Sequence, residues 1–475
     1  MTDVLWTAKE AVTATAGKAA GDWSATGVAI DSRECAAADL FVALPGSRFD
    51  GHDFIAEALA AGAAAAMVTH APEGVRPDAP LLVVESVTAG LEALATTARR
   101  RLAAEARVVA VTGSVGKTGT KDALYRVLTA QGKAHASRRS FNNHVGVPLS
   151  LARMPRDAAF GVFELGMSHA GELLPLTRLV RPDVAIITNI APAHTAFLPD
   201  LEAIARAKAE IFSGLGGSRV AVIPRDSAQY PLLAELAREA GAKRILTFGE
   251  HAEADARAMK FRIHETCTCV SADVCGQEIT YKVGVPGRHW VANSLAVLTA
   301  AVAIGADLGL AGLALAELSP LPGRGRRYRV DLGEDDLLVI DESYNASPAS
   351  MRSALAVIAG ARPGRRGRRI VVLGEMLELG TQTAEEHRRL ADAVREAGVD
   401  LVFTVGAGME ILARNLPRER RAGHADTAGE IATLVTREVR PGDLVMVKGS
   451  NALALSRVVD ALIAMERPAP RRNLA

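Results

Sequence analysis

An α/β chain of three domains, each built on a largely parallel sheet, is the architecture the sequence predicts, and three observations predict it. At 475 residues the chain is too long for one hydrophobic core. Apolar strand-like runs alternate with helical patterns along its length, the signature of parallel sheets covered by helices. That alternation breaks at Leu321-Pro322-Gly323-Arg324-Gly325-Arg326, a Pro/Gly-rich hinge candidate, and then restarts. The predicted units are residues 1–104, 105–322 and 323–475: an N-terminal α/β domain, a central mononucleotide-binding sheet and a smaller Rossmann-like domain.

The central unit carries the strongest local signal. The apolar run Val108 to Val111 leads into Gly113-Ser114-Val115-Gly116-Lys117-Thr118, and a helical pattern starts near Lys121. Strand, glycine-rich turn, Lys-Thr and helix together read as a phosphate-binding loop. Glycines at 113 and 116 let backbone N–H groups point inward at phosphate oxygens, and the following helix adds the positive end of its dipole. Lys117 suits the β- and γ-phosphates, and the Thr118 hydroxyl suits Mg²⁺. A nucleoside triphosphate is the expected ligand.

Composition narrows the class. The 55 basic residues nearly cancel the 54 acidic ones, so no general nucleic-acid binder is expected. The start Met1-Thr2-Asp3-Val4 lacks the basic and apolar regions of a signal peptide, and the Ala-rich run Ala60 to Met67 is too short to span a bilayer. A cytoplasmic protein without membrane insertion is expected, and nothing demands a second subunit. Four cysteines fit a reducing compartment. His264, Cys267, Cys269 and Cys275 are soft or borderline ligands, but Cys-x-Cys-x5-Cys is not a usual zinc spacing. Their alternation and the turn at Gly276-Gln277, before Glu278 to Val285, favour a half-buried hairpin over a metal site.

Taken in order, the first unit has short strands at Val28 to Asp31, Leu40 to Leu44, Ala66 to Thr69 and Leu81 to Val84, and a helix at Ala89 to Ala104 leads out of it. Asp31-Ser32-Arg33 and Phe49-Asp50-Gly51-His52-Asp53-Phe54 cluster polar groups on loops, where ligand binding and simple turn capping are equally good explanations. In the central unit a polar turn, Phe141 to Pro148 with Asn142 and Asn143, precedes a helix. Glu164 ends the strand Ala159 to Gly166, where a second Mg²⁺ ligand is expected beside a phosphate loop. His194 follows the strand Val184 to Thr188, and Lys208 lies in an Ala-rich helix. On spacing alone a surface histidine and a solvated lysine are the simpler readings. Gly287-Arg288-His289 opens a long helix containing Asn293.

The third unit repeats strands at Leu337 to Ile340, Ile370 to Leu373, Leu401 to Val405 and Leu444 to Val447. Leu337 to Glu342 also looks like a Walker B strand, which leaves open an ATP-driven motor or switch. The basic loop Arg362 to Arg369 reads as a solvated connection.

Taken together, Asp31-Ser32-Arg33, Phe49 to Phe54, the Gly-Ser-x-Gly-Lys-Thr loop, Asn142 to Pro148, Glu164-Leu165-Gly166, Ala193-His194, Ala207 to Phe212, Gly287-Arg288-His289, Pro322-Gly323-Arg324, Asp341 to Pro348, Gly374 to Gly380 and Val447 to Ser450 resemble the Mur ligases of peptidoglycan synthesis over essentially the whole chain. The resemblance implies an ATP-dependent joining of a carboxylate to an amine through an acyl phosphate. The pattern is closest to members that add a dipeptide, which implies UDP-N-acetylmuramoyl-tripeptide and D-alanyl-D-alanine as substrates. It implies that Lys117 stabilises the transferred phosphoryl group, and that Thr118 and Glu164 hold one Mg²⁺ with His194 on a second. Lys208 matches the family's carbamylated lysine. By the same resemblance residues 113 to 119, Asn293, Arg324, Asp341 and Asn345 contact ATP. Asp31, Ser32, Arg33, Asp50, Gly51, His52, Asn142, Asn143, Lys448 and Ser450 would contact the substrates. Two departures stand out: Gly119 where Ser or Thr is usual, and Ser347 where Asn is common. An Asp-Asn-Pro-Arg string is absent, which disfavours the sister ligase that adds the third residue. Folylpolyglutamate synthase, which shares the last two domains, would not carry the Asp31 to Phe54 loops.

Overall fold

The computed structural model describes residues 4–46, 49–71, 75–76, 78–138, 140–192 and 196–466. Three principal sheets run along the chain. In the first, Gly27–Ala29, Asp39–Val42, Ala65–Val68 and Leu81–Val83 pair in parallel, and Lys18–Ala19 adds an antiparallel edge. Ala65–Val68 is buried throughout, so the Ala-rich run is the core of a sheet. Among the described residues no helix is long and apolar enough to cross a membrane.

The central sheet has nine strands. Arg107–Thr112 lies between Phe160–Glu164 and Val184–Ile187, all three parallel. Side chains alternate across this strand. Val109 and Val111 join the core beneath Leu124, Val127 and Leu295. Val108 and Ala110 join the opposite core with Phe163, Ile187 and Ile204. A sheet buried on both faces is why these strands read as unbroken apolar runs. The strand order reverses around Arg107–Thr112, whose neighbours come from later in the chain on either side. The crevice at that reversal is where α/β sheets bind ligands.

Two local expectations change. The phosphate-loop helix spans Lys117–Thr129, four residues earlier than its pattern suggested, because Gly116 in the left-handed region (φ 86°) turns straight into it without a side-chain cap. Ala256–Ile263 adds a strand with exposed Lys260 and Arg262 that lacks the apolar alternation of the others. It pairs antiparallel with Thr268–Val274, which pairs with Gln277–Val283. The cysteine cluster therefore sits on this antiparallel extension, and among the described residues no three His, Cys, Asp or Glu side chains converge as a metal site.

The third sheet has six strands, with Asp336–Glu342, Leu444–Lys448, Arg369–Gly374 and Leu401–Val405 in parallel. Arg326–Asp331 pairs antiparallel with Asp336–Glu342 and joins the hinge to the domain.

Candidate active site

The phosphate loop is fastened to the exit of the next strand. Ser114 Oγ donates to Ala191 O (2.8 Å) and accepts from Ala191 N (3.0 Å). Thr188 Oγ1 donates to Val115 O at 2.6 Å. A Cβ at Gly113 would lie 2.0 Å from Thr188 Oγ1, and one at Gly116 would press on the Asn293 amide at 2.9 Å. Both positions thus require glycine for space as well as for their positive φ. Lys117 Nζ donates to Gly113 O at 2.8 Å. Burial lowers its pKa, and the nearby Glu164 opposes that shift.

Glu164 ends Phe160–Glu164 beside the loop, paired with Val111 and 1% exposed. Its Oε1 accepts from Asn142 Nδ2 at 2.7 Å. Its Oε2 is buried with no hydrogen-bond partner among the described residues, and so is Asn189 Oδ1. Leaving a buried carboxylate oxygen unpaired costs about 1–3 kcal/mol or more. Both residues line the same cleft and both atoms are oxygen acceptors, the donor type a divalent cation seeks, so the residues present fit Mg²⁺. Asn189 was not anticipated as a site residue. Its place at the end of the strand next to the phosphate loop was the available signal.

Lys208 overturns the simple reading of its helix. In Leu201–Ala209 it is 1% exposed, and its one hydrogen-bonding neighbour among the described residues is Met167 Sδ at 3.5 Å. Burial drives its pKa well below the ordinary lysine value, and the positive Lys117 pushes the same way. His194 lies outside the described residues.

The phosphate loop opens into a cleft of roughly 710 Å³ shared between the central and third domains. Ser114 to Gly119, Asn142, Asn143, Glu164, Asn293, Arg324, Asn345, Lys448 and Ser450 all line it. Lys448 is buried, donating to Asn345 O (2.9 Å) and Glu342 Oε2 (3.4 Å). Its burial depresses its pKa against the opposing charge of Glu342. Arg324 stacks its guanidinium 4.0 Å from the centre of the Tyr344 ring, and Tyr344 Oη reaches across the domains to Ser140 Oγ at 2.7 Å. Trp290, also in the wall, was not singled out from the sequence. Its ring lies 3.2 Å from where a Cβ on Gly119 would sit, a tight contact against which any larger residue there would press.

Other expected site residues lie apart from this lining. Asp341 is 5% exposed; Oδ2 accepts from Gly323 N (2.7 Å) and Oδ1 from Ser343 N (3.1 Å) and Ser343 Oγ (2.6 Å). Its strand belongs to the third sheet rather than beside the phosphate loop, so it is no Walker B acid; Glu164 holds that position. Its hydrogen bonds hold the hinge and leave it off the cleft surface. In the first domain Asp31 accepts from Arg33 N and pairs with the Arg33 guanidinium (2.6 Å), which holds its carboxyl below the usual range. Ser32 donates to Glu57. Asp50 accepts from His52 N and Nδ1, while His52 Nε2 accepts from Thr69 N at 3.0 Å. Gly51 runs so close to Ala43 that a Cβ would meet its backbone at 2.7 Å. Asp31 and Asp50 are therefore turn caps, and Arg33 projects into solvent with its side chain 82% exposed.

Family comparisons agree with this architecture. Residues 24–105 match the Mur ligase family catalytic domain, 111–301 the Mur ligase middle domain, and 325–451 the Mur ligase glutamate ligase domain. A UDP-N-acetylmuramoyl-tripeptide–D-alanyl-D-alanine ligase of Bacillus subtilis is 33% identical over 445 residues, covering 92% of this chain and 93% of the relative. A crystal structure of MurF from Acinetobacter baumannii superposes with a TM-score of 0.82 at 27% identity, over 97% of this chain and 99% of that one. MurF ligase from Thermotoga maritima, in complex with ADP, gives a TM-score of 0.75 at 28% identity, over 92% and 97% of the two chains. A phosphate loop beside an acid with one unpartnered oxygen and a buried lysine, in a chain matched domain by domain along its length, leads to one conclusion: this chain belongs to the Mur ligase family.

Proposed function

We propose that this chain is an ATP-dependent ligase that joins D-alanyl-D-alanine to UDP-N-acetylmuramoyl-tripeptide, a cytoplasmic step of peptidoglycan precursor synthesis, acting as a monomer. The observation that carries this reading is the shared cleft. It brings the phosphate loop, the unpaired Glu164 oxygen and the third domain's Lys448 loop to one space.

In this reading residues 105–322 hold ATP, 323–475 receive the dipeptide, and 1–104 grip the UDP end through the loops around Asp31 and Asp50. The tripeptide's terminal carboxylate attacks the γ-phosphorus, breaking its bond to the ADP oxygen and giving an acyl phosphate. The dipeptide amine then attacks the acyl carbon, loses a proton, and inorganic phosphate leaves as the amide forms. The loop amides and Lys117 stabilise charge on the transferred group. Asn293 and Arg324 orient the nucleotide, joined by Asn345 from the third domain. Thr118, Glu164 and His194 would hold Mg²⁺, which supplies positive charge next to the phosphates when bound. Tyr344 and Ser140 draw the two domains together over the cleft and limit water, which would hydrolyse the acyl phosphate.

Lys208 has a distinct part. Its burial favours the neutral amine, the form that adds CO₂ to give a carbamate and a proton. A carbamate offers oxygen atoms to a cation where an ammonium would repel it. The deciding experiment follows phosphate release by purified protein with ATP. Release that requires both UDP-N-acetylmuramoyl-tripeptide and D-alanyl-D-alanine supports the ligase, whereas steady release with ATP alone refutes it.

A further inference from the structure

One enclosed side chain away from the cleft governs part of its wall. His387, on helix Thr383–Glu396, is 0% exposed. Its Nδ1 lies 2.7 Å from Thr383 O, and its Nε2 lies 3.0 Å from the backbone nitrogen of Met376. A carbonyl can only accept and an amide N–H can only donate. Nδ1 therefore carries the proton and Nε2 is bare: the ring is fixed as one neutral tautomer with both nitrogens in use.

The amide it receives belongs to the loop Glu375–Leu379, which leaves strand Arg369–Gly374 and lines the cleft through Leu377, Glu378 and Leu379. Glu378 has φ 63° and Gly380 φ 56°, and a non-glycine residue in the left-handed region persists only where its surroundings determine it. The anchors come from outside. Leu377 N donates to Ser450 Oγ (3.0 Å), Ser450 N donates to Glu375 O (3.2 Å), and Ala196 N of the central domain donates to Glu378 O (3.1 Å). His387 holds Met376, the second residue of the loop, beside the Glu375 contacts to Ser450 N and Val405 O, and its ring is fixed in a single hydrogen-bonding state.

We propose that His387 is a positioning residue for the incoming amine: by accepting the Met376 amide it sets the Glu375–Leu379 loop against Ser450, so that the two together receive the free-amine dipeptide. The inference rests on the ligase reading above. It differs from a purely packing role in that the defect should fall on one substrate of three.

The test varies each substrate in turn for the wild type, His387→Leu and His387→Gln. Leucine leaves the Met376 N–H without an acceptor, whereas the glutamine amide oxygen can replace it. His387→Leu should raise the KM for D-alanyl-D-alanine about tenfold, the equivalent of about 1.4 kcal/mol, with KM for ATP and the UDP-tripeptide within about twofold. His387→Gln should recover most of the loss. An unchanged dipeptide KM in His387→Leu, a parallel rise in all three KM values, or a glutamine variant no better than the leucine one overturns the proposal. Should the leucine variant not fold, amide hydrogen exchange on the wild type decides. Adding the dipeptide to enzyme holding a non-hydrolysable ATP analogue and the UDP-tripeptide should slow exchange at Met376 and Leu377, and unchanged exchange refutes the role. A wild type that fails to release phosphate with all three substrates overturns the ligase reading itself, whereas an active wild type with an unaffected leucine variant overturns only the role of His387.

Discussion

Glu164 and Asp341 invite comparison. Each is a buried acid at the C-terminal end of a parallel strand, Glu164 paired with Val111 and Asp341 with Val447. Sequence pattern makes Asp341 the more familiar of the two, since four apolar residues precede its acidic pair. The structure reverses the ranking. Asp341 accepts three hydrogen bonds from the hinge and the following turn, while Glu164 has an oxygen with no partner among the described residues. A strand-end acid is available for chemistry when the chain leaves one of its oxygens unsatisfied, whatever motif surrounds it.

Experiments can break that distinction, and the largest effect is expected at Glu164. Glu164→Gln should lower kcat/KM by about a hundredfold or more, as expected when charge stabilisation at the reacting phosphate is lost. Its urea midpoint should hold or rise, because a buried carboxylate oxygen without a hydrogen-bond partner has been removed. A large loss of stability instead would place Glu164 in the same class as Asp341. Lys208→Ala should likewise abolish turnover, and formate or acetate, small carboxylates able to occupy the vacated space, should restore part of it. Full activity in the unrescued variant would end the carbamate assignment.

Asp341→Ala should show the opposite profile: a stability loss of about 2 kcal/mol, from three donors deprived of their acceptor, with a smaller effect on turnover than Glu164→Gln. If its activity falls as far as that of Glu164→Gln at unchanged stability, the contrast fails.

The smallest effect concerns a half-buried group whose hydrogen bond the chain supplies. His135, on the edge strand Ala134–Ala136, lies 2.7 Å from Ser150 O, and burial pulls its pKa from 6.5 to about 4. A depressed histidine stays neutral in the fold and gains its proton more readily in the unfolded chain. Its contribution is therefore complete above pH 6.5 and is lost as pH falls from there to about 4, by at most about 1.4 kcal/mol per pH unit. His135→Gln should flatten the pH dependence of the urea midpoint across that window, and an unaltered slope would show that other groups set the acid limb.

The phosphate loop, Glu164 and the repeated strand–helix alternation were legible in the sequence because each is a local pattern with a local physical cause. Spacing alone did not mark Lys208, which the family resemblance singled out, since a lysine among alanines looks solvated until packing against Met167 encloses it. Nor did it mark the pairing of Gly119 with Trp290, residues 171 positions apart (290 − 119) that meet only in the folded chain. The strands Ala256–Ile263 and Arg326–Asp331 escaped notice because charged residues interrupt them, and hairpin pairing rather than apolar periodicity defines them. The loops at Asp31 and Asp50 illustrate a different limit. Capping and ligand contact use the same residue types, and the fold shows the caps directly.

The hinge carries a last mechanical consequence. Gly323 N is pinned to Asp341, Gly325 N donates to Asp341 O, Tyr344 N donates to Gly323 O, and Arg324 rests on the Tyr344 ring. These links weld the segment to the third domain. Arg324 and Tyr344 therefore belong mechanically to the third domain, and the Tyr344–Ser140 hydrogen bond is the contact any movement of that domain away from the central one must break.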